Sequence, residues 1–108
     1  MMMNTGVMKM EIQTIKNEDA TTVKLIGRLD TMTSSTLEDA LDGIIEDTVN
    51  LVFDMENLEY ISSAGLRIIL SAQKLLSKKG GNVSIINCQP DVKEVFSITG
   101  FSDILSIS

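Results

Sequence analysis

Residues 50–79, NLVFDMENLEYISSAGLRIILSAQKLLSKK, constrain the fold more than any other stretch of this chain. Leu51, Val52 and Phe53 form a short, bulky apolar run, the pattern of a buried strand. Asp54 is expected to end that strand, and Glu56, Asn57 and Glu59 to form a polar turn. Tyr60-Ile61-Ser62-Ser63-Ala64-Gly65 then leads into Leu66, Ile69, Leu70, Gln73 and Leu76, which recur at helical spacing. Strand, loop and helix in succession put two serines where a helix begins.

That position has chemical consequences. The first turn of a helix leaves backbone N–H groups unpaired and carries the positive end of the helix dipole. A serine there can cap the helix, its oxygen accepting from an N–H two or three residues on, which is worth about 0.5–2 kcal/mol against alanine. It can also carry a phosphoryl group whose oxygens those same N–H groups hold. For a Ser-Ser pair before a helix, taken by itself, capping is the commoner outcome.

The rest of the chain reads in order. Met8, Met10 and Ile12 alternate with Lys9, Glu11 and Gln13, and Val23, Leu25 and Leu29 continue that period in TTVKLIGRL, with Gly27 marking a bulge or close approach. Two strands over residues 8–16 and 21–29 should pair as an antiparallel hairpin. DTMTSS, residues 30–35, is rich in capping residues and opens a helix whose inward face is Leu37, Ala40, Leu41, Ile44 and Ile45. Thr33 is the preferred N-cap, with Ser35 and Glu38 as an alternative capping box. Glu38, Asp39, Asp42 and Glu46 form an acidic outer face. After the central helix, whose wet side carries Arg67, Ser71, Lys74 and Lys78, Gly80-Gly81-Asn82 makes a stop and turn. A strand over residues 83–88 follows, and Pro90 opens a short helix with Val92, Val95, Phe96 and Ile98 inward. A last strand is expected over residues 103–107.

This order predicts one small α/β domain with a mixed sheet of four to five strands and helices packed mainly on one face. Function in such sheets gathers at the carboxyl ends of the strands, where loops enter helices, and both Asp30 and Ser62-Ser63 fall there. At 108 residues the chain suits a single domain, and 44% hydrophobic with 22% charged residues excludes a disordered one. The domain is expected over residues 8–108, after a frayed tail of residues 1–7.

Charge and composition exclude several functions. A net charge of −6, with Lys78-Lys79 the densest basic cluster, argues against nucleic acid as a partner. With no histidine and Cys88 as the one cysteine, intramolecular disulfides, Cys–His metal sites and imidazole catalysis are absent. No metal and no cofactor are expected. Asp54, at a strand end, reads as a structural acid holding its loop, and Cys88 as a small half-buried residue. No run approaches the roughly 18 apolar residues that suggest a membrane span, and MMMNTGVMKM has no basic start before an apolar core. No membrane insertion and a cytoplasmic location are expected.

Three stretches at fitting separations carry a family resemblance: Gly27-Arg28-Leu29-Asp30; Asp54 with Tyr60-Ile61-Ser62-Ser63-Ala64-Gly65-Leu66; and Pro90 with Val92, Phe96 and Thr99-Gly100-Phe101. Together they resemble the STAS domain, in particular the stand-alone bacterial anti-sigma factor antagonists. The resemblance implies a non-enzymatic switch. The unmodified protein would bind an anti-sigma factor that is also a serine kinase and so free a sigma factor. Phosphorylation would end binding, and a serine phosphatase would restore it. The implied phosphorylated residue is Ser63, two before the glycine of Ser-x-Gly-Leu, with Ser62 as second choice. The implied partner surface takes Asp30, Thr31 and Thr33 from the first loop, and Ser62, Ser63, Ala64, Gly65 and Arg67 from the second. Ser62 departs from relatives that often carry aspartate there, and Arg28 from several that carry an acid. A monomer is expected. The alternative from another class is a STAS subunit of a transport or scaffold complex that is never phosphorylated. A small enzyme or nucleotide-binding protein is opposed by the missing histidine and the missing glycine-rich phosphate loop.

Overall fold

Along Thr21–Leu29 every odd-numbered residue is buried and every even-numbered one only partly so. That alternation is what a strand with one covered face requires. In this computed structural model, which describes residues 10–18, 20–101 and 105–107, the strand is the second of five. β1 (Glu11–Lys16), β2 (Thr21–Leu29), β3 (Asn50–Ile61), β4 (Asn82–Ile86) and β5 (Ser106–Ile107) lie in the sheet in chain order. β1 and β2 are the expected antiparallel hairpin, pairing Glu11 with Ile26 and Lys16 with Thr21. Each later neighbour is parallel. Helices α1 (Thr31–Glu46), α2 (Ser63–Ser77) and α3 (Pro90–Ile98) make the three returns. A sheet that always advances in one direction by right-handed crossovers sets its helices on one face.

The core lies between that face and the helices. Val23, Leu25, Leu29, Leu51, Phe53, Leu58, Val83 and Ile85 of the sheet meet Leu37 and Leu41 of α1, Leu66, Ile69, Ala72 and Leu76 of α2, and Val92 and Phe96 of α3. Each large side chain buried in this way contributes about 1.5–3 kcal/mol. The acidic outer face of α1, Glu38, Asp39, Asp42 and Glu46, is solvated as expected.

The largest departure from the sequence reading is β3. It does not stop at Asp54 but continues through Glu56, Asn57 and Glu59 to Ile61. From the pair Lys24–Asp54 to the pair Ile26–Asn57, three residues of β3 span two of β2; from Gly27–Leu58 to Arg28–Tyr60, two span one. These bulges break the period of two, so Met55, Leu58 and Ile61 turn inward at intervals of three while the polar residues between them face water. Gly27, at a φ of 107°, sits at the second shift, as its expected role as a bulge marker required. Asp54 holds the segment, accepting from the Glu56 N–H at 3.1 Å and from Asn87 Nδ2 at 3.2 Å.

Smaller corrections have local reasons. Ala72 is buried in α2, whereas Leu70 and Gln73 are only half so, because Gln73 turns toward β4 and its Oε1 accepts from the Val83 N–H at 2.7 Å. Ile98 is not inward but 76% exposed. It stands two residues, or about 200° of helix, past the buried Phe96. The final strand is Ser106–Ile107, and the expected positions 103 and 104, like 8 and 9 of the first strand and the tail of residues 1–7, lie outside the described residues.

The Gly80-Gly81 turn packs α2's end against the loop before β3. A Cβ on Gly81 would fall 1.7 Å from the Val49 carbonyl oxygen, whereas one on Gly43, inside α1, would meet nothing within 4 Å. Gly81→Ala should therefore lose about 1–3 kcal/mol in urea unfolding through forced backbone movement, and Gly43→Ala should gain about 0.5–1 kcal/mol from helix propensity. Equal responses at the two glycines would show this packing to be wrong.

Candidate functional site

The parallel pairing of β2 and β3 carries through to their last residues, Leu29 and Ile61, and the Ser62 N–H then donates to the Leu29 carbonyl at 2.8 Å. Both strands end in the same row. Each hands the chain to a helix within one residue, so the starts of α1 and α2 lie side by side at the carboxyl end of the sheet. The two loops thus come together as the strand order predicted.

The α1 start is closed by Asp30, not by Thr33. Asp30 is extended (φ −103°, ψ −168°), its Oδ1 accepts from the N–H groups of Met32 (3.0 Å) and Thr33 (2.9 Å), and its carbonyl accepts from Ser34 N–H (3.0 Å). Thr33 is the third helical residue and completes the box: its Oγ1 accepts from the Asp30 N–H at 2.8 Å and donates to the Arg28 carbonyl at 2.7 Å. A carboxylate that takes two N–H groups also answers the helix dipole, which a threonine cannot. The alternative box at Ser35 is absent too, since Ser35 Oγ bonds back to the Met32 carbonyl within the helix. The Thr33 N–H holds the Asp30 carboxyl below the usual aspartate range; desolvation opposes it, and the Thr33 hydroxyl, the Met32 N–H and the Arg28 charge assist.

The α2 start is built from the same parts but is neutral. Ser62 (φ −96°, ψ 170°) is the N-cap, its Oγ accepting from the Gly65 N–H at 3.2 Å. Ser63 is the first helical residue, exposed, and its hydroxyl has no hydrogen-bond partner among the described residues. The N–H groups of Ser63 and Ala64 have no partner within the helix, as the geometry of a first turn dictates. Arg67 is exposed four residues on, on the same side of α2 as Ser63. One helix start is already filled by a carboxylate, and its neighbour is open to an anion.

Of the remaining residues expected at a partner surface, Thr31 is exposed, Ala64 and Thr33 are half-buried, and Gly65 is buried. A Cβ on Gly65 would lie 2.6 Å from Leu29 Cγ and 3.2 Å from Ile61 Cγ1. Its bareness therefore lets α2 seat on the strand ends, as expected, and offers a partner no surface. Beside these, Arg28 lies over the Tyr60 ring, 4.3 Å from its centroid, and Tyr60 is 41% exposed. Met32 escaped the sequence reading altogether. The signal was present: an apolar residue five before Leu37 falls about 140° off the inward stripe of α1.

Other chemistry finds little footing. Among the described residues no three His, Cys, Asp or Glu side chains converge as a metal site would need. Cys88 is half-buried, and that burial pushes its thiol up against the lowering influence of Lys93, the opposite of an activated nucleophile. No helix among the described residues is long and apolar enough to cross a membrane.

A single α/β domain with adjoining, oppositely prepared helix starts has the makings of an interaction module. Residues 11–108 match the STAS domain family model, and the chain belongs to that family. It is 27% identical over 101 residues to the anti-sigma-B factor antagonist of Bacillus subtilis (strain 168), covering 94% of this chain and 93% of that protein. It is 28% identical over 102 residues to the anti-sigma F factor antagonist of Paenibacillus polymyxa, covering 93% and 87%. The fold is that of the anti-sigma factor antagonist SpoIIAA in its unphosphorylated form, with a TM-score of 0.80 at 19% identity over 91% of this chain and 88% of that one. An anti-sigma factor antagonist from Mycobacterium paratuberculosis has a TM-score of 0.84 at 21% identity, over 92% and 85%.

The cap at Asp30 makes a pH prediction. A carboxyl whose folded pKa is depressed stabilises the fold above its unfolded pKa, and that contribution is lost as the pH falls through the folded value. Asp30→Asn keeps a capping side chain without the charge. Wild type should melt above this variant at neutral pH, and the gap should close as the pH falls below the usual aspartate range. Carbon-detected NMR titration of the Asp30 carboxyl checks the direction, and an ordinary or raised midpoint would contradict it.

Proposed function

We propose that this chain is an anti-sigma factor antagonist. Unphosphorylated, it binds an anti-sigma factor that is also a serine kinase and thereby frees a sigma factor; ATP-dependent phosphorylation of Ser63 ends the interaction, and a serine phosphatase restores it. The protein works as a cytoplasmic monomer and a binding module, with no reaction of its own. The observation that carries the reading is the state of Ser63: exposed, without a hydrogen-bond partner among the described residues, and first in a helix whose neighbouring start is capped by Asp30. The relatives named as anti-sigma factor antagonists support the same reading.

Physical chemistry favours Ser63 over its neighbours. Ser62 uses its hydroxyl oxygen to cap α2. Thr31 is the matching first residue of α1 and is exposed, but the Asp30 carboxylate beside it already takes two first-turn N–H groups. A phosphate there would meet like charge and occupied donors. At Ser63 it meets open N–H groups, the positive end of α2, and Arg67 within reach at a spacing of four. A charge of about −1.5 to −2 added there leaves the fold intact and changes the surface. With Asp30 one helix away, the patch becomes strongly anionic and hard to dehydrate against a partner.

The test is the intact mass of the protein after incubation with ATP and the histidine-kinase-like serine kinases of its own cell, beside Ser63→Ala and Ser62→Ala. One added phosphate that disappears only in Ser63→Ala is expected. Disappearance only in Ser62→Ala would move the site, and no phosphate with any kinase would sink the switch in favour of a constitutive interaction domain. Stability separates the two serines independently: Ser62→Ala should cost about 0.5–2 kcal/mol as a lost cap, and Ser63→Ala should stay within about 0.5 kcal/mol of wild type. The phosphorylated protein should keep its far-UV circular dichroism, and a cooperative melt that vanished on phosphorylation would contradict a switch confined to the surface.

A further inference from the structure

Among the large apolar side chains of the described residues, Met32 is the most exposed, at 83%. The next, Ile98 at 76%, ends α3. Single exposed apolar residues are ordinary, so position decides whether this one means anything. Met32 is the second residue of α1, directly after exposed Thr31, and the parallel strand ends place it one helix away from Ser63. Packed helices lie about 8–10 Å apart, so both side chains fall within one partner's footprint.

Folding has no use for a methionine there. The inward stripe of α1 lies elsewhere, at Leu37 and Leu41. A solvated second position in a helix favours Asp or Glu, which answer the dipole, yet the first turn of α1 contains no acid. The backbone beneath is held firmly, since the Met32 N–H donates to Asp30 Oδ1 at 3.0 Å and its carbonyl accepts from Ser35 Oγ at 3.1 Å. A flexible, polarizable side chain on a rigid base can fill an irregular apolar hollow with little loss of backbone entropy. Methionine is also enriched at the centres of protein interfaces.

We infer that Met32 is the apolar anchor of this surface, entering an apolar socket on the anti-sigma factor beside the place where that protein receives Ser63. The inference rests on the functional reading above and adds to it what the partner must offer: a hydrophobic pocket next to its phosphoryl-transfer site. It also gives the switch a physical lever. Seating Met32 requires the ground between it and Ser63 to be dry, and a phosphate dianion on Ser63 makes that dehydration costly.

The test uses the kinase that phosphorylates wild type, with affinity measured by calorimetry in the absence of ATP and the phosphorylation rate of Ser63 measured in its presence. Wild type, Met32→Ala, Met32→Leu and Ile98→Ala are compared. Met32→Ala should weaken binding about tenfold and lower kcat/KM to match through KM, with an unchanged melting temperature. Met32→Leu should stay within about threefold because it keeps the apolar volume, and Ile98→Ala should behave as wild type. Wild-type affinity in Met32→Ala, or an equal loss in Ile98→Ala, would overturn the anchor while leaving the functional reading standing. Wild type that is neither bound nor phosphorylated by any such kinase would overturn that reading and the anchor with it.

Discussion

The parallel pairing of Leu29 with Ile61, extended by the hydrogen bond from the Ser62 N–H to the Leu29 carbonyl, is the constraint on which the rest of the site depends. It brings two strand ends to the same level and so makes neighbours of two helix starts. Gly65 completes the joint, because only a residue without a side chain lets α2 settle onto Leu29 and Ile61. The bulges in β3 belong to the same device. Had the pairing run on regularly from Lys24–Asp54, Leu29 would stand opposite Glu59; the two shifts bring the apolar Ile61 beside it instead.

On that frame the two helix starts have different electrical characters. Asp30 fills the positive end of α1 with a carboxylate charge held by two N–H groups, its proton affinity lowered by them. Ser62 gives α2 a neutral cap and leaves Ser63 free in front of it. A charge added at Ser63 would meet the open positive end of α2 and would alter the surface rather than the core. Those are the two properties a reversible binding switch needs: the folded state must survive the modification, and the interface must not.

Much of this was legible in the chain. Strict alternation identified β2, helical spacing identified α1 and α2, Pro90 marked the start of α3, and Gly27 marked a bulge. The acids and serines at the strand ends stood out because turn and cap chemistry is local. Legibility failed where several local solutions were nearly equal. Asp30, Thr33 and Ser35 can each cap a helix, and the choice of Asp30 depended on where β2 ends in the sheet. Glu56, Asn57 and Glu59 look like a turn because polar residues interrupt the pattern, yet β2 beside them holds the segment as strand. Ile98 looked buried because it is apolar, although its angle around α3 turns it to water.

Sterics, capping and hydrophobic period act within a few residues, so the chain alone specifies the elements and their order, but not which of several capping residues closes α1 or how far β3 runs. Which boundaries meet is settled by the packed fold, because it depends on the register of strands far apart in the chain and on the packing allowed at Gly65. The fold set the start of α1, where Met32 stands exposed, beside the start of α2, and packed Gly65 against Leu29 and Ile61. Exposure and adjacency are properties of the packed whole, and no local pattern encodes them.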